Sequence, residues 1–94
     1  MVERTLLVTA RLGLHARAAA KVVRVAREFD STMELRRLDN GASADAKSIL
    51  SVLMLAASQG TELHASADGV DEETALNAID KLFAIGFGEQ ESPK

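Results

Sequence analysis

The sequence has 94 residues, no cysteine, and a formal net charge of −3 from 11 basic and 14 acidic side chains. Its length predicts one domain with a single core, and the lack of cysteine excludes disulfides and thiolate metal sites. The net negative charge and the lack of Trp and Tyr argue against a nucleic acid partner. Such a partner is bound by positively charged surfaces and by aromatic side chains that stack on its bases. No signal peptide pattern and no apolar run of roughly 20 residues is present, so we expect a cytoplasmic protein with no membrane insertion.

The first half of the chain predicts a strand, a helix and a hairpin. Residues 2–9 alternate between apolar and polar side chains, which is typical of a strand buried on one face. Apolar residues then recur every three or four positions over 16–29, so this segment predicts a helix with one buried stripe. Residues 33–36 alternate again, and the turn signal at 39–41 predicts a reversal into a short strand at 42–45.

A second helix is predicted at 48–58, capped at its start by Ser48 or Asp45 and ended by Gly60. The apolar side chains of this segment point in nearly every direction around a helix, so one sheet cannot cover them all. We therefore expect some of them to face a partner protein, with room for weak self-association.

A fourth strand is predicted at 61–67, and a third helix begins with the acidic residues 71–73, whose charge complements the helix dipole. Gly86 is expected to form a left-handed cap with an apolar contact from Phe87, and 88–94 is expected to be a flexible tail. The buried stripe of this helix is predicted to consist of Leu76, Ile79 and Phe83, flanked by Ala75, Ala78 and Leu82.

The resulting order of elements is βαββαβα. Such an α+β alternation closes most simply as a four-stranded antiparallel sheet with three helices on one face. No linker or internal repeat divides the chain, so residues 1–94 are predicted to form one domain.

His15 stands directly before the first predicted helix, and Arg17 follows two residues later. The first N–H groups of a helix lack intrahelical partners, and the macrodipole adds about half a positive charge there, so the position attracts anions. Neutral imidazole is a nucleophile that can hold and release a phosphoryl group without a metal. The pattern indicates a phosphate relay. A polar cap at His15 and a solvated side chain at Arg17 are the ordinary alternatives.

Three segments of the chain resemble the HPr family, the histidine-containing phosphocarriers of the bacterial phosphotransferase system. Residues 13–17 resemble its active-site motif, 45–50 its regulatory-serine segment, and 69–76 the acidic opening of its last helix. The resemblance covers nearly the whole chain and implies an open-faced β-sandwich of four strands and three helices. Ala18 departs from the commonest motif, which has proline after the arginine. A branch that includes regulatory systems carries alanine there.

The resemblance implies that Nδ1 of His15 accepts a phosphoryl group from the phosphoenolpyruvate-dependent first enzyme of the system. The group would be stabilised by Arg17 and the helix amides, and passed to sugar-specific or regulatory acceptor proteins. The protein would be a monomeric carrier rather than a turnover enzyme, with no cofactor. The alternative is a regulatory module of a nitrogen-type or incomplete system, whose phosphorylation at His15 or Ser48 controls partner proteins. An unrelated metabolite-binding domain would make the three matching segments a coincidence.

Ser48 has two interpretations. A serine before an apolar helical run is most simply an N-cap, and the resemblance adds that a dedicated kinase, with its phosphatase, modifies this serine in some bacteria. Phosphorylation would add about two negative charges near the partner-binding surface and would repel an acidic partner.

The partner-binding surface is expected to combine cations of the first helix with apolar residues of the second. Cations at helical spacing would steer acidic partners, although a solvated helix face has the same pattern. This basic stripe consists of Arg17, Lys21, Arg24 and Arg27. The apolar contact residues are Ile49, Leu50 and Leu53, and burial is the alternative for Ile49 and Leu50.

The rest of the chain shows no pattern typical of a catalytic or metal site. His64 occupies an outward position of a predicted strand and is expected to be an ordinary surface residue. The acidic run at 71–73 lacks the ligand spacing of a calcium loop, and no glycine-rich phosphate loop is present. We therefore expect no metal and no nucleotide.

Overall fold

The computed structural model describes residues 1–88, and the order of elements in this part of the chain confirms the predicted βαββαβα arrangement. The strands are β1 (Val2–Leu7), β2 (Thr32–Arg37), β3 (Ser43–Asp45) and β4 (Glu62–Asp68). The helices are α1 (Ala16–Ala26), α2 (Ile49–Met54) and α3 (Glu72–Ala84), followed by a 3-10 turn at Gly86–Gly88. The predicted tail at 88–94 lies, apart from Gly88, outside the described residues.

The four strands form one antiparallel sheet in the order β1-β4-β2-β3. Six residues of β1 and six of β2 pair with β4, whereas β3 pairs with only three residues of β2. Alternate residues of the strands are buried under the helices, and their neighbours lie on the opposite, open face. The predicted open-faced α+β fold is therefore confirmed.

The core lies between the sheet and the helix layer. Small side chains on the buried stripe of α1, among them Ala18 and Ala19, are fully buried in this core. Phe87 packs edge-on against Phe83 with 4.9 Å between the ring centroids. Gly86 has φ +61°, so the predicted left-handed cap and its Phe87 contact are both present. The largest buried side chains include Phe83, Phe87, Leu35, Leu63, Leu76 and Ile79.

The first strand and the first helix end earlier than the sequence predicted. β1 ends at Leu7 rather than at residue 9, and α1 ends at Ala26 rather than at residue 29. Residues 27–29 continue as turns, in which Glu28 and Phe29 donate to carbonyls three residues back. Phe29 still packs against the core while only half-buried.

The second helix ends at Met54, so the prediction that it continues to 58 and is ended by Gly60 was wrong. Leu55 and Ala57 are 2% and 3% exposed, and the chain must leave the helix to bury both. It does so at Ala56, which has φ +51°. Gly60 instead closes the turn into β4, where its N–H donates to the carbonyl of Val8 at 2.8 Å.

Asp71 links the start of α3 to the loop between α1 and β2. Its carboxylate accepts hydrogen bonds from the N–H of Asp30 at 2.9 Å and from the N–H and hydroxyl of Ser31. Ser31 is fully buried, so this bond satisfies a hydroxyl that has no access to water. Asp71 stands at the N-cap position of α3, but its side chain makes no capping bond to the helix. Glu72 instead accepts from the N–H of Gly69.

Replacing Asp71 by asparagine is expected to reduce the loss of stability in acid. Hydrogen bonds from Ser31 and from the N–H of Asp30 hold the pKa of Asp71 below its ordinary value of 3.8. Because the folded-state pKa is lowered, the carboxylate stabilises the fold above the unfolded-state pKa, and this contribution disappears as the pH falls through the folded-state value. Urea unfolding midpoints, measured from about pH 6 to about pH 2, should fall more steeply for the wild type than for Asp71→Asn.

The control for this experiment is Asp68→Asn, which neutralises an exposed carboxylate at the end of β4. This variant should keep the steep dependence of the wild type. If the unfolding midpoints of the wild type and Asp71→Asn fell equally with pH, the loss of stability in acid could not be assigned to Asp71.

Candidate functional site

His15 is the N-cap residue of α1. Its backbone is extended, with φ −74° and ψ −179°, and its Nδ1 accepts a hydrogen bond from the N–H of Arg17 at 3.2 Å. The lone pair of Nδ1 therefore points at the start of the helix, where N–H groups have no intrahelical acceptor. A phosphoryl group on Nδ1 would replace this bond and present its oxygens to the same donors.

The loop before His15 is fixed by close contact with the segment after α2. The N–H of Leu14 donates to the carbonyl of Ala57 at 2.8 Å, and the Leu14 side chain is buried. Gly13 has φ +67°, and a Cβ at this position would lie 2.5 Å from the Ala57 oxygen and 2.9 Å from Cα of Ser58. Only glycine allows this approach without a shift of the backbone, so Gly13 helps to set the position of His15.

The basic stripe divides into two kinds of residue. Arg17 and Arg24 are exposed along α1, as the spacing predicted. Lys21 is half-buried, and its Nζ donates to the carbonyl of Phe87 at 2.7 Å. Arg27 is exposed, but its Nε donates to the carbonyl of Lys47 at 3.0 Å. Two of the four predicted cations therefore hold backbone segments together rather than standing only in solvent.

Ser48 is the N-cap of α2. Its Oγ accepts from the N–H of Ser51 at 3.3 Å, whereas Asp45, the other candidate cap, accepts from the N–H of Lys47. Lys47 also donates from Nζ to the carbonyl of Phe29 at 2.7 Å. Lys47, the residue before Ser48, is thus bound to the turn that follows α1, and this places Ser48 near the basic helix.

The exposed apolar surface of α2 differs in part from the predicted one. Ile49 and Leu50 are 44% and 65% exposed, as expected of contact residues, and Met54 is 75% exposed. Leu53 is half-buried and packs against the core. The signal for Met54 was available, because it lies four residues after Leu50 on the same helix face. We call Ile49, Leu50 and Met54 the α2 patch.

Two further side chains were not identified from the sequence. Leu12, in the loop before His15, is 68% exposed. His64 was expected to be an ordinary surface residue, but it is half-buried and its Nε2 lies 2.9 Å from Oε1 of Glu3. Because Glu3 and Thr5 pair with Ser66 and His64, the His64–Glu3 contact is diagonal across two strands. It lies on the open face of the sheet, on the side away from α1.

Within residues 1–88, no cluster of three or more His, Asp or Glu side chains is arranged to hold a metal ion. No helix in this described part of the chain is long and apolar enough to cross a membrane.

Comparisons with known proteins identify the family of this chain. The family model described as PTS HPr component phosphorylation site matches residues 2–84. The phosphocarrier protein HPr of Xylella fastidiosa (strain 9a5c) is 47% identical over 89 residues, which cover 95% of this chain and 98% of that protein. The phosphocarrier protein NPr of Escherichia coli (strain K12) is 40% identical over 88 residues, which cover 94% of this chain and 97% of that protein.

A solved structure supports the same relationship. The crystal structure of HPr-C-His from Thermoanaerobacter tengcongensis superposes with a TM-score of 0.88 at 40% identity, covering 96% of this chain and 99% of that one. Sequence and fold therefore agree over nearly the full length, and the resemblance inferred from three segments is confirmed. The chain belongs to the HPr family of phosphocarrier proteins of the phosphotransferase system.

Proposed function

We propose that this phosphocarrier holds its phosphoryl group on Nδ1 of His15. It receives the group from the phosphoenolpyruvate-dependent first enzyme of the system and delivers it to an acceptor protein. The observation that carries this proposal is the hydrogen bond from the N–H of Arg17 to Nδ1. This bond aims the nucleophilic nitrogen at the anion-binding start of α1.

The transfer needs a nucleophile and a fixed positive environment. The lone pair of Nδ1 forms the new N–P bond, while the donor keeps the electron pair of the bond that breaks. Nδ1 gives up its bond from Arg17 N–H in this step, and an oxygen of the incoming group takes that bond over. The exposed Arg17 guanidinium adds charge that stabilises the phosphoryl group before and after transfer.

Partners dock on the surface around His15 in this proposal. The exposed cations Arg17 and Arg24 attract an acidic partner surface and raise the rate of encounter. The α2 patch supplies apolar surface, and the burial of this surface against the partner stabilises the short-lived complex. Arg27 contributes charge while it stays bound to the carbonyl of Lys47.

Phosphorus NMR tests the chemistry directly. The protein is incubated with phosphoenolpyruvate and the first enzyme of its own system, and the spectrum is recorded before and after acid treatment. A phosphohistidine signal that disappears in acid is expected, because a P–N bond hydrolyses when the ring is protonated. An acid-stable adduct, or no signal, would reject the proposal.

A regulatory branch of the family is the second candidate. It is favoured by the likeness to a protein named NPr and by Ala18, whose buried methyl group occupies the third position of α1. The same His15 chemistry would then lead to an acceptor that controls other proteins rather than sugar uptake. Incubating the phosphorylated protein with a sugar-specific acceptor and, separately, a regulatory acceptor distinguishes the two by the rate at which each removes the phosphoryl group.

We further propose that Ser48 is a regulatory position, and Ser48→Asp tests it. We expect phosphoryl uptake from the first enzyme to slow by about three- to tenfold, because a negative charge beside α1 repels an acidic partner. Thermal stability should stay close to that of the wild type, since aspartate is also a good N-cap. Ser43→Asp adds the same charge on the exposed strand β3 and serves as the control. Equal uptake rates for the two variants would remove Ser48 as a switch.

A further inference from the structure

Arg37, at the end of β2, joins two segments that are distant in sequence. Its Nε and Nη2 donate to the two carboxylate oxygens of Asp39 at 2.9 and 2.7 Å. Its Nη1 donates to the carbonyl of Leu55 at 2.9 Å and to that of Ala56 at 3.2 Å. The Arg37 side chain is only 17% exposed. One side of the guanidinium is thus held by a fork, the pair of parallel hydrogen bonds to Asp39. Its other side binds the backbone just after α2.

The end of α2 depends on such a contact. A helix of six residues is too short to be stable by itself. The N–H groups of Leu55 and Ala56 donate to the carbonyls of Val52 and Leu53 inside α2, whereas the carbonyls of Leu55 and Ala56 lie beyond the last helical turn. The chain leaves the helix through Ala56 with φ +51°, a conformation that is unfavourable for any residue with a Cβ. Arg37 supplies donors to the two carbonyls around this turn.

The segment that Arg37 holds lies between the α2 patch and His15. Met54, in the patch, directly precedes Leu55. Ala57, on the other side, accepts from the N–H of Leu14, the residue before His15. A shift at residues 55–56 would therefore move the patch relative to the phosphorylation loop.

We propose that Arg37, held by Asp39, is a positioning residue for phosphoryl transfer, and that it fixes the α2 patch in the orientation that the first enzyme binds. The inference rests on the proposed function. Arg37 does not contact the reacting nitrogen, and His15 keeps its own hydrogen bond from the N–H of Arg17 in α1. Loss of Arg37 should therefore weaken docking and leave the chemical step unchanged.

The electrostatics of the Arg37–Asp39 pair agree with a fixed position of the guanidinium. The hydrogen bond from Arg37 lowers the pKa of Asp39, so the carboxylate keeps its charge and both of its bonds to Arg37 further into the acid range. A forked arginine–carboxylate pair has a narrower geometry than a lysine pair, because two parallel bonds fix the plane of the guanidinium.

Two other arginines provide matched controls. Arg36 precedes Arg37 on β2 and is exposed on the open face of the sheet, so Arg36→Met removes the same charge from the same strand. Arg4 pairs with Asp80 at 2.8 Å and joins β1 to α3, so Arg4→Met breaks an arginine–carboxylate pair that does not touch α2.

The experiment measures kcat and KM of the first enzyme with this protein as the varied substrate, at a temperature where every variant is folded. For Arg37→Met we expect KM to rise by about three- to tenfold, because part of α2 must be ordered during docking, with kcat within about twofold of the wild type. Arg37→Lys keeps the charge but loses the fork, so its KM should lie between those of the wild type and Arg37→Met. Arg36→Met and Arg4→Met should leave KM unchanged.

The inference would be overturned by an unchanged KM for Arg37→Met, by an equal rise in KM for Arg36→Met, or by a loss confined to kcat. If Arg37→Met does not fold, Arg37→Lys and Asp39→Asn carry the same test. Amide hydrogen exchange over residues 52–56 adds a readout that needs no phosphoryl donor. It should accelerate in Arg37→Met and not in Arg36→Met, and unchanged exchange also overturns the inference. Failure of the wild type to take up phosphate would instead reject the proposed function.

Discussion

Replacing His15 by alanine is expected to abolish phosphoryl uptake while the fold stays intact. The substitution removes the nitrogen that would form the N–P bond, and alanine offers no other nucleophile. The half-buried ring contributes one capping bond to α1, so its loss should cost about 1 kcal/mol of stability. For a domain of this size that corresponds to a fall in Tm of roughly 4–8 °C. Intact-protein mass spectrometry after incubation with phosphoenolpyruvate and the first enzyme measures the uptake.

The other histidine is the matched control. His64 lies on the open face of the sheet in contact with Glu3, so His64→Ala should take up a phosphoryl group at the rate of the wild type. Undiminished uptake by His15→Ala, or its loss in His64→Ala alone, would contradict the assignment of the carrier nitrogen.

Replacing Gly13 by alanine is expected to have the largest effect on stability. The new methyl group would lie 2.5 Å from the oxygen of Ala57, and φ is +67°. Left-handed strain and the clash together should cost about 2 to 4 kcal/mol, which lowers Tm by roughly 10–25 °C. Uptake at His15 should fall by about ten- to a hundredfold in the folded variant, because the loop can no longer dock on residues 57–58. Differential scanning calorimetry and the uptake assay measure the two effects.

Gly41→Ala separates the clash from the backbone strain. Gly41 has φ +76°, and a Cβ there would meet no atom within 4 Å. This variant should lose only about 1 kcal/mol and keep the uptake rate of the wild type. Equal losses in the two variants would show that the approach of Gly13 to Ala57 does not constrain the loop.

Periodicity along the chain was enough to predict the long elements. The buried stripe of α3 and the alternation in β1 and β4 each involve several residues of one face, so local sequence carries the signal. The end of α2 could not be predicted in this way. Leu55 and Ala57 are buried by packing against other elements, and the αL residue between them is an alanine rather than the glycine that usually marks such a turn.

In the candidate site, too, the local features could be predicted from the sequence and the contacts between distant segments could not. His15 and Ser48 lie at helix starts, where a local motif identifies them. The contacts of Lys21 with Phe87 and of Arg37 with Leu55 join a side chain to a backbone carbonyl 66 and 18 residues away. A backbone carbonyl is the same for every residue type, so no sequence pattern records such a bond. These contacts become visible only when the chain is folded.

The open face of the sheet makes this protein suitable for oriented immobilisation. Because the chain contains no cysteine, a Glu34→Cys substitution would provide a unique thiol on an exposed strand position. Glu34 lies directly opposite Asp45 across the β2–β3 pair, so the change would also remove a repulsion between like charges. A sensor chip coupled through this thiol would present the helix layer to the solution, with His15 accessible to a flowing partner.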